Sequence, residues 1–162
     1  MSTHTKAIPD GFHTLTPYLS VKGAAKAIEF YERAFGAKER FRMAAPDGKS
    51  VGHAEIAIGD SIVMLADEMD AFGNRSPESL KGTPVNFMLY VENSDAAFER
   101  AVQAGARVIR PLADQFYGDR SGCVEDPFGY QWTVSTHQED VPPEELKTRM
   151  AAFCAKMAEQ KH

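Results

Sequence analysis

Two stretches of the chain, Leu19-Ser-Val-Lys-Gly-Ala-Ala-Lys-Ala-Ile-Glu29 and Leu89-Tyr-Val-Glu-Asn-Ser-Asp-Ala-Ala-Phe-Glu99, resemble each other at a spacing of 70 residues. In both, an alternating pattern typical of a strand runs into apolar positions at helical spacing. Each helical stretch ends at a glycine, Gly36 or Gly105, as a left-handed C-terminal cap requires. The repeat therefore predicts two copies of one strand-helix module.

Three further strand candidates follow each helix, separated by turn residues. They are residues 39–43, 51–58 and 61–65 in the first half, and 107–111, 121–125 and 131–136 in the second. Each half then has the order βαβββ. We predict an α+β fold in which modules 12–67 and 85–137 form a curved mixed sheet around a cleft, with the helices on the convex side. Residues 68–84, rich in Gly, Ser and Pro, are predicted to link the modules.

The two ends of the chain differ from this domain, which we expect to span residues 11–140. Residues 1–10 are polar and predicted to be disordered. Residues 141–162 begin with prolines and glutamates and then carry an apolar face of Leu146, Met150, Phe153 and Met157, which predicts a C-terminal helix. We expect this face to pack on the sheet or on a second subunit.

Composition excludes several classes of function. The formal net charge is −5 and no run of like charges occurs, so neither nucleic acid nor a membrane is expected as a partner. No apolar stretch approaches the ~18 residues that span a bilayer and no secretion signal is visible, so a cytoplasmic location is expected. Hydrolase, kinase and zinc-protease motifs are missing from the sequence.

The stretch 51–58 carries the most informative alternation. Ala54, Ile56 and Ile58 form one apolar face, while His53 and Glu55 stand together on the other face, which we assign to the cleft. A carboxylate beside an imidazole can move a proton on a small substrate near neutral pH. The alternative is a half-exposed strand whose outer face is merely polar.

The same alternation, together with the loop 114–120, supplies candidate substrate-binding residues. Arg120 can grip an anion bidentately, or can pair with Asp114, Asp119 or Asp126 instead. The full set of candidates is Tyr18, Asn86, Tyr90, Tyr117, Arg120 and Thr133.

Four stretches carry a resemblance to a known family. Residues 12–21, 27–37, 53–61 and 126–132 (Asp-Pro-Phe-Gly-Tyr-Gln-Trp) are together similar to the PhnB-like branch of the glyoxalase/bleomycin-resistance/dioxygenase, or vicinal oxygen chelate, superfamily. The resemblance covers about residues 11–140. It implies paired βαβββ modules, in agreement with the repeat.

The resemblance also implies four metal-ligand positions, in the first and last strands of each module. They fall on Thr16, on Met64 or Val63, on Asn86 and on Thr133. These side chains are poor ligands for a divalent ion, so we expect no metal and no other cofactor. A displaced metal site that uses His53 and Glu55 is an alternative.

Two functional hypotheses follow. In the first, the protein is a metal-independent lyase or isomerase in which His53 and Glu55 move a proton on a small molecule. In the second, it sequesters a drug or metabolite without turnover, as superfamily members that act as dimers do. Both hypotheses are compatible with a homodimer, which we expect.

Overall fold

A computed structural model describes residues 5–159, and these form two modules of the same order. The first module consists of β1 (Tyr18–Val21), α1 (Ala24–Phe35), β2 (Lys38–Ala44), β3 (Val51–Ile58) and β4 (Ser61–Asp67). The second consists of β5 (Asn86–Tyr90), α3 (Ser94–Ala104), β6 (Arg107–Asp114), β7 (Asp119–Glu125) and β8 (Gln131–His137). The predicted α+β fold with two βαβββ modules is confirmed.

Between and after the modules lie shorter pieces. The linker contains a single 3-10 turn (Asp70–Phe72) and the short helix α2 (Pro77–Leu80), and α4 (Pro143–Glu159) follows the second module. Both module helices end at a glycine in the left-handed region, Gly36 with φ 67° and Gly105 with φ 116°. Of the predicted segments, residues 1–4 and 160–162 lie outside the described residues, and residues 5–10 have no helix or strand.

Each module builds its own four-stranded sheet, in the order β1-β4-β3-β2 and β5-β8-β7-β6. The first strand runs parallel to the last strand of its module, and the other neighbours are antiparallel. The structure has two four-stranded sheets in place of the single curved sheet that was predicted, because β1 pairs with β4 and β5 pairs with β8. Strand alternation describes the faces of each module and contains no information on how two modules meet.

One hydrophobic core joins the modules. α1 packs on the first sheet, α3 packs on the second, and the two helices pack on each other. The buried cluster accordingly combines Leu19 and Ile56 of the first sheet with Trp132 and Val134 of the second. The uncovered face of each sheet, which we call its open face, therefore turns away from this shared core.

A buried carboxylate lies where the two modules meet. Asp126 accepts hydrogen bonds from the Tyr31 hydroxyl of α1 at 2.7 Å and from the Trp132 indole at 2.8 Å. It also accepts the backbone N–H groups of Phe128 and Tyr130. Burial raises the pKa of Asp126, and these four donors act against that rise. The carboxylate of Asp126 thus accepts hydrogen bonds from groups in both modules.

The C-terminal helix forms as predicted, but its apolar face is only lightly covered. Phe153 contacts Phe116, with ring centroids 5.1 Å apart, and Arg149 pairs with Glu139 and Glu145. Met150, Phe153 and Met157 remain 43–49% exposed, so this face is not buried on the sheet of the same chain. Within residues 5–159, no helix is long and apolar enough to cross a membrane.

Candidate functional site

The open face of the first sheet carries the predicted acid/base pair. Ala54, Ile56 and Ile58 of β3 are buried against the helices, so alternation turns His53 and Glu55 to the other face. Their side chains are 21% and 20% exposed. The register predicted for this strand is therefore confirmed, and both groups are reachable from solvent while partly desolvated.

Tyr18 links β1 to this pair. Its hydroxyl lies 2.9 Å from His53 Nδ1, and His53 Nε2 lies 3.6 Å from Glu55 Oε1. Partial burial raises the pKa of Tyr18, which favours the protonated hydroxyl. When Tyr18 donates to Nδ1, the proton of the neutral imidazole sits on Nε2 and faces the carboxylate. The three side chains thus form a chain in which one hydrogen bond sets the orientation of His53.

Arg40 is a further member that the sequence did not reveal. Its Nη1 lies 3.7 Å from Glu55 Oε2, and its guanidinium carbon lies 5.5 Å from the centre of the Phe12 ring. An irregularity in β2 between Glu39 and Phe41 places Arg40 out of step with the strand. Period-two alternation fails at such a bulge, so no sequence signal pointed to this residue.

Apolar side chains border the pair on the same face. Phe41 is the cross-strand neighbour of Glu55, Met43 is that of His53, and Met64 lies opposite Glu55 on the other side. Phe41 and Met43 are 50% and 53% exposed. An imidazole and a carboxylate beside exposed apolar groups are suited to a small molecule with both a polar and an apolar part.

The second module carries Asn86, Tyr90, Tyr117 and Thr133; Asn86 and Tyr90 are exposed, whereas Thr133 is only 6% exposed. Thr133 donates from its hydroxyl to Asn86 Oδ1 at 3.1 Å, and the Asn86 amide lies 3.7 Å from the sulfur of Cys123. The Tyr117 hydroxyl lies 3.2 Å from the Ser121 hydroxyl. Arg110, which was not among the predicted site residues, is the cross-strand neighbour of Cys123 and shares its face of the second sheet.

A buried carboxylate organises one end of that face. Asp119 is 4% exposed and accepts hydrogen bonds from Tyr90, Ser135 and His137 at 3.1, 2.9 and 2.8 Å. Burial alone raises the pKa of Asp119, but the three hydrogen bonds outweigh it and hold the pKa below its ordinary value. The Tyr90 hydroxyl is therefore committed to Asp119 rather than free for a substrate.

Arg120 does not lie on the open face, so its assignment to the cleft is corrected. β7 begins at Asp119 rather than at Ser121, and Arg120 pairs across the sheet with Thr136. Its guanidinium binds both oxygens of Asp95 at 2.7 Å and Asp114 at 3.0 Å. These hydrogen bonds raise the pKa of Arg120. The residue ties β7 to the first turn of α3 and to β6.

The structure brings the predicted residues together as two sets and not as one. Tyr18, His53 and Glu55 share the first open face, and Asn86, Tyr90, Tyr117 and Thr133 belong to the second module. Among the hydrogen bonds and ion pairs of the described residues, none connects these two sets. The helices occupy the space between the sheets, so the predicted cleft shared by both halves does not form within a single chain.

The residues present do not fit a divalent metal ion. The positions implied by the resemblance carry Thr16, Met64, Asn86 and Thr133, which divide between the two modules. Within residues 5–159, no cluster of three or more His, Cys, Asp or Glu side chains has the geometry to hold an ion. Neutral hydroxyl, amide and thioether groups are weak ligands, so no step of the chemistry proposed for this chain passes through a metal.

Comparison with known proteins agrees with this architecture. Residues 11–134 match the family model of the glyoxalase/bleomycin resistance protein/dioxygenase superfamily. An uncharacterized protein of Mycobacterium bovis is 44% identical over 141 residues, which are 85% of this chain and 92% of that protein.

Solved structures show the same fold. TioX from Micromonospora sp. ML1 has a TM-score of 0.62 and 26% identity, covering 77% of this chain and 98% of its own. A PhnB protein from Bacillus cereus has a TM-score of 0.59 and 17% identity, covering 76% and 99%, and supports the fold alone. With a family model that matches most of its length, this chain belongs to the glyoxalase/bleomycin resistance protein/dioxygenase superfamily.

Proposed function

We propose that this protein binds a small oxygen-bearing molecule on the open face of the first sheet and moves a proton on it, as a metal-independent isomerase or lyase. The observation that carries the proposal is the chain from Tyr18 to His53 to Glu55, with separations of 2.9 and 3.6 Å. His53 and Glu55 lie side by side, and each side chain is about one-fifth exposed, so a ligand on this face can reach both. This is the arrangement that general acid/base catalysis requires.

The proton step is simplest for an isomerisation. Glu55, as a carboxylate, takes a proton from a carbon next to a carbonyl group of the substrate. The proton then returns to a different atom of the same substrate, directly or through His53, so the protein ends in its starting protonation state. Arg40 places a positive charge 3.7 Å from the Glu55 carboxylate, on the same face of the sheet.

We further propose that two copies of the chain complete the site. Each open face exposes large side chains: Tyr18, Phe41 and Met43 on the first sheet, and Met88 and Tyr90 on the second, are 48–59% exposed. In a two-fold dimer, the first open face of each copy can contact the second open face of the other copy, so the same contact forms twice. Such pairing would unite the two sets of residues that one chain keeps apart. We also propose that the chain belongs to the PhnB-like branch, because residues 12–21, 27–37, 53–61 and 126–132 together resemble it.

Proton exchange in heavy water tests the catalytic proposal. Dihydroxyacetone, pyruvate and glyceraldehyde are the probes, because each has an exchangeable hydrogen next to a carbonyl. We expect the protein to accelerate exchange of at least one, and Glu55→Gln or His53→Gln to reduce that rate by about 10²-fold or more. Glu125→Gln is the control, since Glu125 pairs with Arg107 in the other module. Proton transfer is refuted if the unaltered protein and the three variants give equal exchange rates. It is also refuted if no probe exchanges faster with the protein than without it.

Sequestration without turnover is the second candidate. The exposed Phe41 and Met43 beside the site favour it, since flat apolar ligands stack on such surfaces. In that case a ligand raises the melting temperature equally in the normal protein and in Glu55→Gln. Exchange then stays at the uncatalysed rate.

A further inference from the structure

A cavity between the two modules lies apart from the acid/base pair. Its volume is about 750 Å³, which falls within the range of small-molecule sites. Residues 13–17, the β3–β4 turn, β5 and α3 all contribute to its lining, whereas His53 and Glu55 do not. Both halves of the chain therefore build it.

The deep wall of the cavity is aromatic. Trp132 is 3% exposed, and its ring lies 4.8 Å from that of Phe35 and 4.7 Å from that of Phe87, centre to centre. The indole N–H of Trp132 already donates to Asp126. Buried Ile58 and Val63 extend the same wall. A wall without free polar atoms holds water poorly and favours an apolar, flat molecule.

One anchored cation lines the same cavity. Arg100 of α3 donates from Nε to the carbonyl oxygen of Ala34, at the end of α1, at 2.9 Å. Its two terminal nitrogens have no hydrogen-bond acceptor among the described residues. Asp60 and Glu92 also line the cavity; like Arg100 they are exposed, and neither pairs with Arg100. The guanidinium is thus held in place with donors left over for a ligand.

We propose that this cavity is a second binding site, for an aromatic or other flat apolar molecule that ends in a carboxylate or a comparable oxyanion. The apolar part lies against Phe35, Phe87 and Trp132, and the anionic end pairs with the spare nitrogens of Arg100. This site does not depend on proton transfer at His53. Because Arg100 binds α1 from α3, a ligand there also bridges the two modules.

Two matched probes test the proposal. 8-Anilinonaphthalene-1-sulfonate carries the anion, and N-phenyl-1-naphthylamine has the same rings without it. We expect both to bind the folded protein with a rise in fluorescence. Arg100→Met should weaken the sulfonate at least fivefold and leave the neutral probe within twofold. Arg107→Met is the control, because Arg107 pairs with Glu125 and lies outside this cavity, and it should change neither affinity.

A blocking variant and a direct reporter locate the bound probe. Ser61 lines the cavity and is exposed, so Ser61→Phe should fill the space and abolish binding of both probes. The chain has a single tryptophan, so its indole resonance reports on Trp132 without ambiguity. We expect the sulfonate to shift that resonance in the unaltered protein.

Three results would contradict the proposed second binding site. Sulfonate affinity that is equal in Arg100→Met and in the unaltered protein would refute the anion anchor. A bound probe that shifts His53 resonances and leaves Trp132 unchanged would show that the molecule occupies the first open face instead. Probe binding that disappears as the protein dimerises would show that a second copy fills the cavity.

Discussion

Each open face carries a histidine beside a carboxylate, and the two pairs are held very differently. On the first sheet, His53 and Glu55 stand 3.6 Å apart, and both side chains are about one-fifth exposed. On the second, His137 lies 2.8 Å from Asp119, whose carboxylate is 4% exposed and also accepts from Tyr90 and Ser135. The same two residue types thus form a loose pair in one module and a saturated one in the other.

The difference favours a structural role for Asp119 and leaves Glu55 accessible for the proton transfer that we propose. A buried carboxylate with three donors has little capacity left for a ligand, and loss of it leaves those donors without a partner. Glu55 has only long contacts, to His53 and to Arg40 at 3.7 Å, so a ligand can approach it without breaking a short hydrogen bond. Proximity of an imidazole and a carboxylate is therefore not enough to identify an acid/base site.

The largest expected effect is on the free energy of unfolding. Asp119→Ala should cost about 3 kcal/mol, because Tyr90, Ser135 and His137 lose a shared acceptor. Glu55→Ala should cost less than about 1 kcal/mol, since its partners can turn to water. Urea unfolding of both variants measures the contrast. If Glu55→Ala is the more damaging change, the assignment of the two pairs is reversed.

The sequence predicts features that depend on residues close together in the chain. It does not predict features that depend on contacts between residues far apart in the chain. The modules, the glycine caps and the face of His53 and Glu55 follow from local patterns, and the structure agrees with them. The meeting of the modules depends on contacts such as Tyr31 with Asp126, 95 positions apart, which leave no periodic trace. For that reason the repeat predicts two modules correctly but does not determine how they pack, and the single shared cleft had no local pattern behind it.

Individual residues show the same limit. The polar and aromatic residues 114–120 are typical of a loop at a cleft, yet β7 begins at Asp119 and alternation then turns Arg120 to α3. The presence of Asp95 in the first turn of α3 was a signal that could have indicated this pairing. Arg40 sits at a bulge and had no comparable signal.

A smaller effect concerns the dependence of stability on pH. Hydrogen bonds to Asp119 and then to Asp140 raise the pKa of His137. A raised imidazole pKa stabilises the fold fully below the unfolded value of about 6.5, and this contribution is lost as pH rises through the folded value. The low pKa of Asp119 acts at the other end: its contribution is lost as pH falls through the folded value.

The measurement is the melting temperature of His137→Gln against the unaltered protein. The difference should be greatest near about pH 5 to 6, where both partners are charged, and should shrink toward about pH 9. Asp140→Asn should keep most of this dependence, because Asp119 is the stronger partner and Asp140 is fully exposed. If the difference in melting temperature grows with pH, the charged form of His137 does not stabilise the fold.

The smallest expected effect concerns Tyr18 and Tyr90, each of which hydrogen-bonds to one of the two histidine–carboxylate pairs. Tyr90→Phe removes a donor from buried Asp119 and should cost about 1 kcal/mol of stability. Tyr18→Phe removes only the hydroxyl near His53 Nδ1, on a side chain that is 48% exposed, and should change stability by less than about 0.5 kcal/mol. Its effect should appear instead in the nitrogen chemical shifts of His53, because Nδ1 loses the partner that selects the Nε2-protonated tautomer. If those shifts stay unchanged while stability falls as much as in Tyr90→Phe, then Tyr18 is a packing residue and the first open face is held as tightly as the second.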